Sequence, residues 1–297
     1  MTLADFAPTV ERRPDGAVVV RVRDALPAPA VRMTDELERW AAAAPDRAFL
    51  ARRGADGAWR RTTYAQALDT ARRIAAGLLA RGLDAERPVA ILSGNGIEHA
   101  LLALGAMLAG VPYAPISPAY SLMSSDLGKL KAIAAALRPG LVFTDDRARF
   151  ARAIAGAIPP GTETVSADGF DALMGDPGDP AIDAARARVG PGTVAKILYT
   201  SGSTGIPKAV PTTQRMLTAN QAMLRAWLPF LAEEPPVLLD WLPWNHTFGG
   251  SHNFGLVLSN GGTLWIDDGR PTPDGIAETA RNLRQVSPTI YFNVPKG

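Results

Sequence analysis

The sequence predicts an α/β fold of two doubly wound, mostly parallel sheets flanked by helices. Three observations carry this reading. Short apolar runs alternate along the chain with longer segments whose apolar residues recur at helical spacing. The runs are apolar throughout, as in strands covered on both faces, rather than alternating with polar residues. A loop of Gly, Ser and Thr follows one such run, at the kind of strand end where open α/β sheets bind ligands.

The elements follow in order. Residues 1–33 form a Pro- and charge-rich lead-in, with one short strand at 17–22. Thr34 can cap a helix to about residue 44, with Leu37, Trp40, Ala41 and Ala44 on one face. Residues 48–53 and 59–62 flank Gly54-Ala55-Asp56-Gly57, a hairpin signal. Thr63 and Gln66 make a capping box that opens a long helix ending at Gly82. Strands follow at 89–92, 111–116, 141–144 and 164–166, with helices at 97–108, 125–137 and 147–157 between them. Residues 168–192, rich in Gly, Pro and Asp, read as a surface connection. It divides a first α/β subdomain, 34–192, from the start of a second, 193–297. The second begins with a strand at 194–199, the loop, and a helix at 212–228. Strands at 237–241, 262–266 and 289–294 then alternate with helices near 253–258 and at 274–286.

Composition narrows the function. The 297 residues are 47% hydrophobic, enough for one large domain or two smaller ones. The net charge is +2, and a pI near 9.0 follows from few histidines and no cysteine rather than from a basic stripe. Nucleic-acid binding is therefore disfavoured. The absence of cysteine excludes disulfides and thiolate metal sites and fits a reducing, cytoplasmic setting. No apolar run reaches the length of a membrane span, and residues 1–13 lack the apolar stretch of a signal peptide.

The loop reads Tyr199-Thr200-Ser201-Gly202-Ser203-Thr204-Gly205-Ile206-Pro207-Lys208. Gly202 and Gly205 let the backbone take φ > 0 and approach a ligand closely. Consecutive N–H groups then form an anion-binding concavity. The hydroxyls of Thr200, Ser201, Ser203 and Thr204 add donors, and Lys208 adds a compact positive charge. A plain Ser/Gly linker would not follow a buried strand and end in Pro-Lys. The Walker A spacing is also excluded, because Lys208 stands three residues after Gly205 and precedes Ala209.

This loop resembles the signature loop of the adenylate-forming superfamily, which includes acyl-CoA synthetases, aryl-CoA ligases, luciferases and peptide-synthetase adenylation domains. The family usually has Gly where this chain has Ala209, and often a Thr-His pair where it reads Pro211-Thr212-Thr213-Gln214. The resemblance implies the large N-terminal domain of such an enzyme, in part. It implies ATP as substrate, with the loop and Lys208 at its phosphates. It further implies Mg²⁺, for which Thr204 is the candidate ligand, and CoA as co-substrate. Pro243-Trp244-Asn245-His246-Thr247-Phe248-Gly249 is similar to the family's second core motif. Carried over, His246 contacts the carboxylate of the acid, and Trp244 and Phe248 wall its apolar part. An imidazole suits that task because it can hydrogen-bond a carboxylate without a permanent charge.

Within the superfamily, residues 239–273 and 291–297 most resemble feruloyl-CoA synthetases, which implies an aryl acid such as ferulate. A fatty-acid or amino-acid substrate, or a non-catalytic nucleotide-binding remnant, is the alternative. The family continues to a Tyr-Gly-x-Thr-Glu motif, a ribose-holding Asp and a mobile C-terminal domain with a catalytic Lys. None stands in these 297 residues, so the expectation is an N-terminal fragment, inactive alone. Other candidates have plainer readings. His99 is expected to be packed in an apolar helix, His252 to lie in the same wall as His246, and Lys129 and Lys131 to be solvated. Asp145-Asp146 and Asp267-Asp268 are more often caps at strand ends than metal ligands.

Overall fold

The computed structural model describes residues 3–4, 7–22, 25–200, 205–269 and 272–294. The chain opens with an antiparallel ribbon of β1 (Pro8–Arg12) and β2 (Val18–Val22). Then come α1 (Met33–Ala43), β3 (Ala48–Arg53), β4 (Trp59–Thr63), α2 (Tyr64–Ala80), β5 (Val89–Leu92), α3 (Ile97–Ala109) and β6 (Tyr113–Pro115). They are followed by α4 (Pro118–Leu122), α5 (Gly128–Leu137), β7 (Leu141–Thr144), α6 (Arg147–Ala157), β8 (Glu163–Ser166) and α7 (Pro180–Arg188). The last part holds β9 (Val194–Thr200), β10 (Lys208–Thr213), α8 (Gln214–Trp227), β11 (Val237–Asp240), α9 (Phe254–Ser259), β12 (Thr263–Ile266) and α10 (Pro273–Leu283).

A six-stranded sheet has the order β10-β9-β6-β5-β7-β8, and only β10 is antiparallel to its neighbour. A four-stranded sheet has the order β11-β12-β3-β4, with β4 antiparallel. The expected fold class is therefore present: two mostly parallel sheets flanked by helices. Each sheet draws strands from both sides of residue 192, so the division there is one of chain order and not of sheets.

Successive strand residues point to opposite faces, and in the central strands β5 and β7 both faces are buried. Val89 and Ile91 of β5 and Leu141 and Phe143 of β7 enter one core with Phe49 and Leu50 of β3 and Leu264 of β12. Ala90, Leu92 and Val142 turn the other way and meet Leu130, Ile133 and Phe150 of α5 and α6. The first core is shared by both sheets, with α2 and α3 packed together in it and α3 touching β3 and β6. A helix in that position must be apolar all round, and every residue of α3 from His99 to Ala109 is buried.

Local chemistry matches several expectations. Thr63 Oγ1 accepts from Gln66 N–H while Gln66 Oε1 accepts from Thr63 N–H, closing the capping box of α2. Asp146 caps α6 through Arg149 N–H. Lys129 and Lys131 are exposed. No helix among the described residues is long and apolar enough to cross a membrane.

Other expectations are corrected. Thr34 is buried inside α1, and the cap is made instead by Asp35, which accepts from Arg32 N–H. Residues 168–192 hold a 3₁₀ turn (Ala167–Leu173) and α7, whose Ile182 and Ala185 are buried. The Gly/Pro content concealed a short helix capped by Asp179. Residues 289–294 form no strand. Thr289 bonds Val237 through its N–H and its hydroxyl oxygen, and no ladder continues from there among the described residues. The segment after β9 is not a direct strand-to-helix connection. The β-prone run from Ala209 to Thr213 pairs back on β9 as β10, and α8 begins only where Thr213 caps it.

Leu102 of α3 is fully buried in the shared core. Leu102→Ala is expected to lower unfolding stability by roughly 2–5 kcal/mol in urea denaturation of this chain, because the two sheets cannot both collapse onto the gap. A loss below about 1 kcal/mol would show that the layer tolerates cavities and does not hold the sheets together.

Candidate functional site

Parallel pairing puts the carboxyl ends of β5, β6, β7 and β9 on one edge of the larger sheet. It puts those of β3, β11 and β12 on one edge of the smaller. The two edges converge on a cleft of about 620 Å³. Gly94 and Asn95 enter it after β5, Ser117 after β6 and Asp145 after β7. Arg52 lies in the last two residues of β3, Pro243 and Asn245 follow β11, and Asp267 and Asp268 follow β12. An open α/β sheet binds ligands at such edges because the loops there are free to vary.

Asn95, in the connection between β5 and α3, ties the edges together. Its Nδ2 donates to Leu242 O at 2.9 Å, and its Oδ1 accepts from Trp244 N–H at 2.9 Å. One carboxamide thus satisfies a carbonyl and an amide on the loop after β11, which a carboxylate could not do. Arg52 pairs with Asp268 at 2.9 Å across the same wall. Asp267 accepts from Gly269 N–H, Thr279 Oγ1 and Asn282 Nδ2, so it organises its own loop. Among the described residues, no three His, Cys, Asp or Glu side chains gather as a protein-built metal site requires.

The Ser/Gly loop closes the β9–β10 hairpin. Thr200 and Lys208 stand directly opposite one another in the ladder, both exposed, at its mouth. Directly opposed residues share a face, so their side chains leave the ribbon on the same side. Gly205 has φ +81°, a conformation that disfavours any side chain. Ser201, Gly202, Ser203 and Thr204 lie outside the described residues. The loop leaves from the same sheet edge as the cleft, but none of its described residues lines that cleft.

The second motif separates into different environments. Pro243 and Asn245 line the cleft, whereas Trp244 is buried at 4% exposure. Its ring meets His99 edge-on at 5.2 Å and Phe254 at 5.4 Å. His246 is exposed and begins a tight turn: its N–H donates to Pro243 O, and its carbonyl accepts from Gly250 N–H. A π-helical turn, Phe248–Asn253, follows and runs into α9. A Cβ on Gly249 would meet Leu242 O at 2.3 Å, and one on Gly250 would meet Trp244 O at 2.1 Å. Both glycines are therefore required by close backbone approach. Phe248, His252 and Phe292 form a three-ring cluster with centroids 4.9–5.7 Å apart. His252 Nδ1 bonds Asn253 Oδ1 at 2.8 Å. His252 thus lies on the turn that His246 begins.

Buried charge marks the residues that pattern reading missed. Lys196 of β9 is 1% exposed, and its Nζ donates to Gly250 O at 2.6 Å. No carboxylate pairs with it among the described residues, and burial pulls its pKa from 10.5 to about 7. The available signal was a single lysine inside an apolar strand. His99 is packed as expected. Burial pulls it down to about 4, and its Nδ1–H donates to Gly94 O. Burial pushes Asp240, at the end of β11, up to about 6.

The Lys196 shift gives a signed pH dependence. Burial opposes its charged form, so the cost is complete below pH 7 and disappears as pH rises toward 10.5. Lys196→Met is therefore expected to gain most over wild type near pH 6.5. Its advantage should shrink with a slope of up to about 1.4 kcal/mol per pH unit above pH 7. Chemical denaturation of both chains at pH 6.5, 8 and 9.5 checks this. A stability difference independent of pH would show that Lys196 titrates alike in both states.

Comparison with known proteins places this geometry. Residues 37–297 match the family described as AMP-binding enzyme. The chain is 30% identical over 251 residues to the long-chain-fatty-acid–CoA ligase FadD15 of Mycobacterium bovis, covering 81% of this chain and 40% of that protein. It is 28% identical over 253 residues to the L-proline–[L-prolyl-carrier protein] ligase of Streptomyces coelicolor, covering 78% of this chain and 44% of that one. The chain thus spans about two fifths of these curated relatives. Among solved structures, VinN in complex with 3-methylaspartate superposes with TM-score 0.70 at 20% identity, over 91% of this chain and 68% of VinN. A fatty acyl-adenylate ligase from L. pneumophila, in complex with acyl adenylate and pyrophosphate, gives 0.68 at 19% identity, over 90% and 45%. The two structures share the fold, and the family match covers both sheets and both motifs. The chain belongs to the AMP-binding enzyme family, the adenylate-forming superfamily.

Proposed function

We propose that this chain is the nucleotide- and acid-binding portion of an ATP-dependent acid–CoA ligase acting on an aryl acid of the hydroxycinnamate class, such as ferulate. In that reaction a carboxylate oxygen attacks the α-phosphorus of ATP. Acyl-AMP forms and pyrophosphate leaves. The thiol of CoA then attacks the acyl carbon, a thioester forms, and AMP leaves. The observation that carries the reading is the β9–β10 hairpin, with its Ser/Thr/Gly loop closed by the Thr200–Lys208 pair at the ligand-binding edge.

Each residue has a role in this proposal. Backbone N–H groups around Gly202 and Gly205, and the hydroxyls of Thr200, Ser201, Ser203 and Thr204, hold the β- and γ-phosphates. Lys208 balances the charge that develops on departing pyrophosphate. Holding ATP in this way also lowers the entropic barrier to attack. With no protein-built cluster among the described residues, Mg²⁺ would be held chiefly by the phosphates, with Thr204 as a donor from this chain. Bound there, the ion would supply charge neutralisation of the phosphates. His246 hydrogen-bonds the acid carboxylate. Phe248 walls the apolar part of the acid, and Trp244 supports the turn from the core. The superfamily's Tyr-Gly-x-Thr-Glu motif and mobile C-terminal domain would complete the site in the whole enzyme. The lack of cysteine suits a cytoplasmic setting. A second reading, a fatty or amino acid in place of the aryl acid, draws on the names of FadD15 and the prolyl ligase.

The test is ATP–pyrophosphate exchange by the complete enzyme carrying this chain, against ferulate, coumarate, octanoate and proline. Exchange strongest with ferulate or coumarate is the expected result. Lys208→Ala should reduce it by about 10²-fold or more. Exchange strongest with octanoate or proline overturns the aryl assignment. Exchange with no acid overturns the ligase reading.

A further inference from the structure

We propose that Lys196 is a positioning residue: by donating to the Gly250 carbonyl it sets the π-helical turn that presents His246, Phe248 and His252 to the acid. The proposal rests on the acid-ligase reading for its effect on substrate, but not for its effect on the turn.

The turn has few other anchors. Gly250 N–H closes back on His246 O, and the Gly249 and Gly250 backbones lie against Leu242 O and Trp244 O without room for a side chain. These contacts are all local to residues 242–250. Two more come from other elements: Gln221 Nε2 of α8 donates to Ser251 O at 3.2 Å, and Lys196, on the strand that leads directly into the phosphate loop, donates to Gly250 O. Its Nζ–O distance of 2.6 Å is that of a short, direct hydrogen bond.

Burying a lysine without a carboxylate partner is unfavourable, and a methionine would fill similar space without that cost. What methionine lacks is the donor. An uncharged amine still donates, so the bond survives loss of the ammonium proton. Lys196 also lies opposite Tyr113 in the β6–β9 pairing, in the middle of the sheet rather than at its rim. From there its Nζ reaches the turn at Gly250 O. The strand carrying the phosphate loop thereby fixes the distance between the phosphates and the groups that meet the acid.

Two measurements on Lys196→Met test this. Hydrogen–deuterium exchange of the 297-residue chain reads the turn directly. Amides of residues 246–254 should exchange about tenfold faster in the variant, with those of β5 and β7 unchanged. In the complete enzyme, the KM for the acid should rise about tenfold or more while the KM for ATP stays within about twofold. Unchanged protection of residues 246–254 overturns the proposal, and so does an equal loss toward acid and ATP. If the wild-type enzyme activates no acid, the ligase reading fails and the exchange measurement alone decides the anchor. If Lys196→Met shows no cooperative unfolding, Lys196→Gln is judged by the same criteria.

Discussion

The apolar layer of α2 and α3 between the two sheets is the constraint on which the rest depends. Both sheets bury a face against it, and residues of β3, β5, β7 and β12 meet in one core there. Burial on both faces fixes the register of the central strands β5 and β7, since a one-residue slip would reverse every side chain. The strand ends are placed in consequence. The cleft exists because two sets of parallel strands end toward each other, and Asn95 joins loops that the core has already brought together. The chemistry of the site is thus a property of loops, and its geometry a property of the core.

What the sequence makes legible follows from period and composition. Apolar runs buried on both faces read clearly as parallel strands, and β5 and β7 fall on residues 89–92 and 141–144 as expected. The Gly/Ser/Thr loop stands out in the sequence because its residue types suit close backbone approach. Its hairpin does not, because β10 is an edge strand containing Pro211 with mostly exposed side chains, so it carries no burial pattern. Helix α7 is hidden by the Pro and Asp that cap it. The segment 289–294 has strand-like composition but meets β11 only at Val237, so tertiary pairing decides against it. The partners of Asn95 and Lys196 were hidden for another reason. Each acts on a backbone group far along the chain, and such pairs leave no spacing signal.

Beside the exposed Arg52–Asp268 pair, three buried titratable groups near the site are shifted chiefly by burial. Lys196 is neutralised toward pH 7 by burial, His99 is kept uncharged, and Asp240 is pushed toward protonation. A low local dielectric strengthens whatever polar contacts a ligand makes there. Two small polar groups on the core side, Asn95 and Lys196, then organise the loop after β11 from opposite ends: one holds residues 242 and 244, the other residue 250. Trp244, expected beside the acid, lies in the core between them and joins the turn to α3 through His99.

The most direct test of the account is a crystal structure of the complete enzyme with a non-hydrolysable acyl-adenylate analogue of ferulate and with pyrophosphate. Pyrophosphate is expected within hydrogen-bond reach of the 200–208 loop and Lys208, and the acyl group against the turn of His246 and Phe248. Pyrophosphate bound away from that loop, or an acyl group on another face of the sheets, would contradict it.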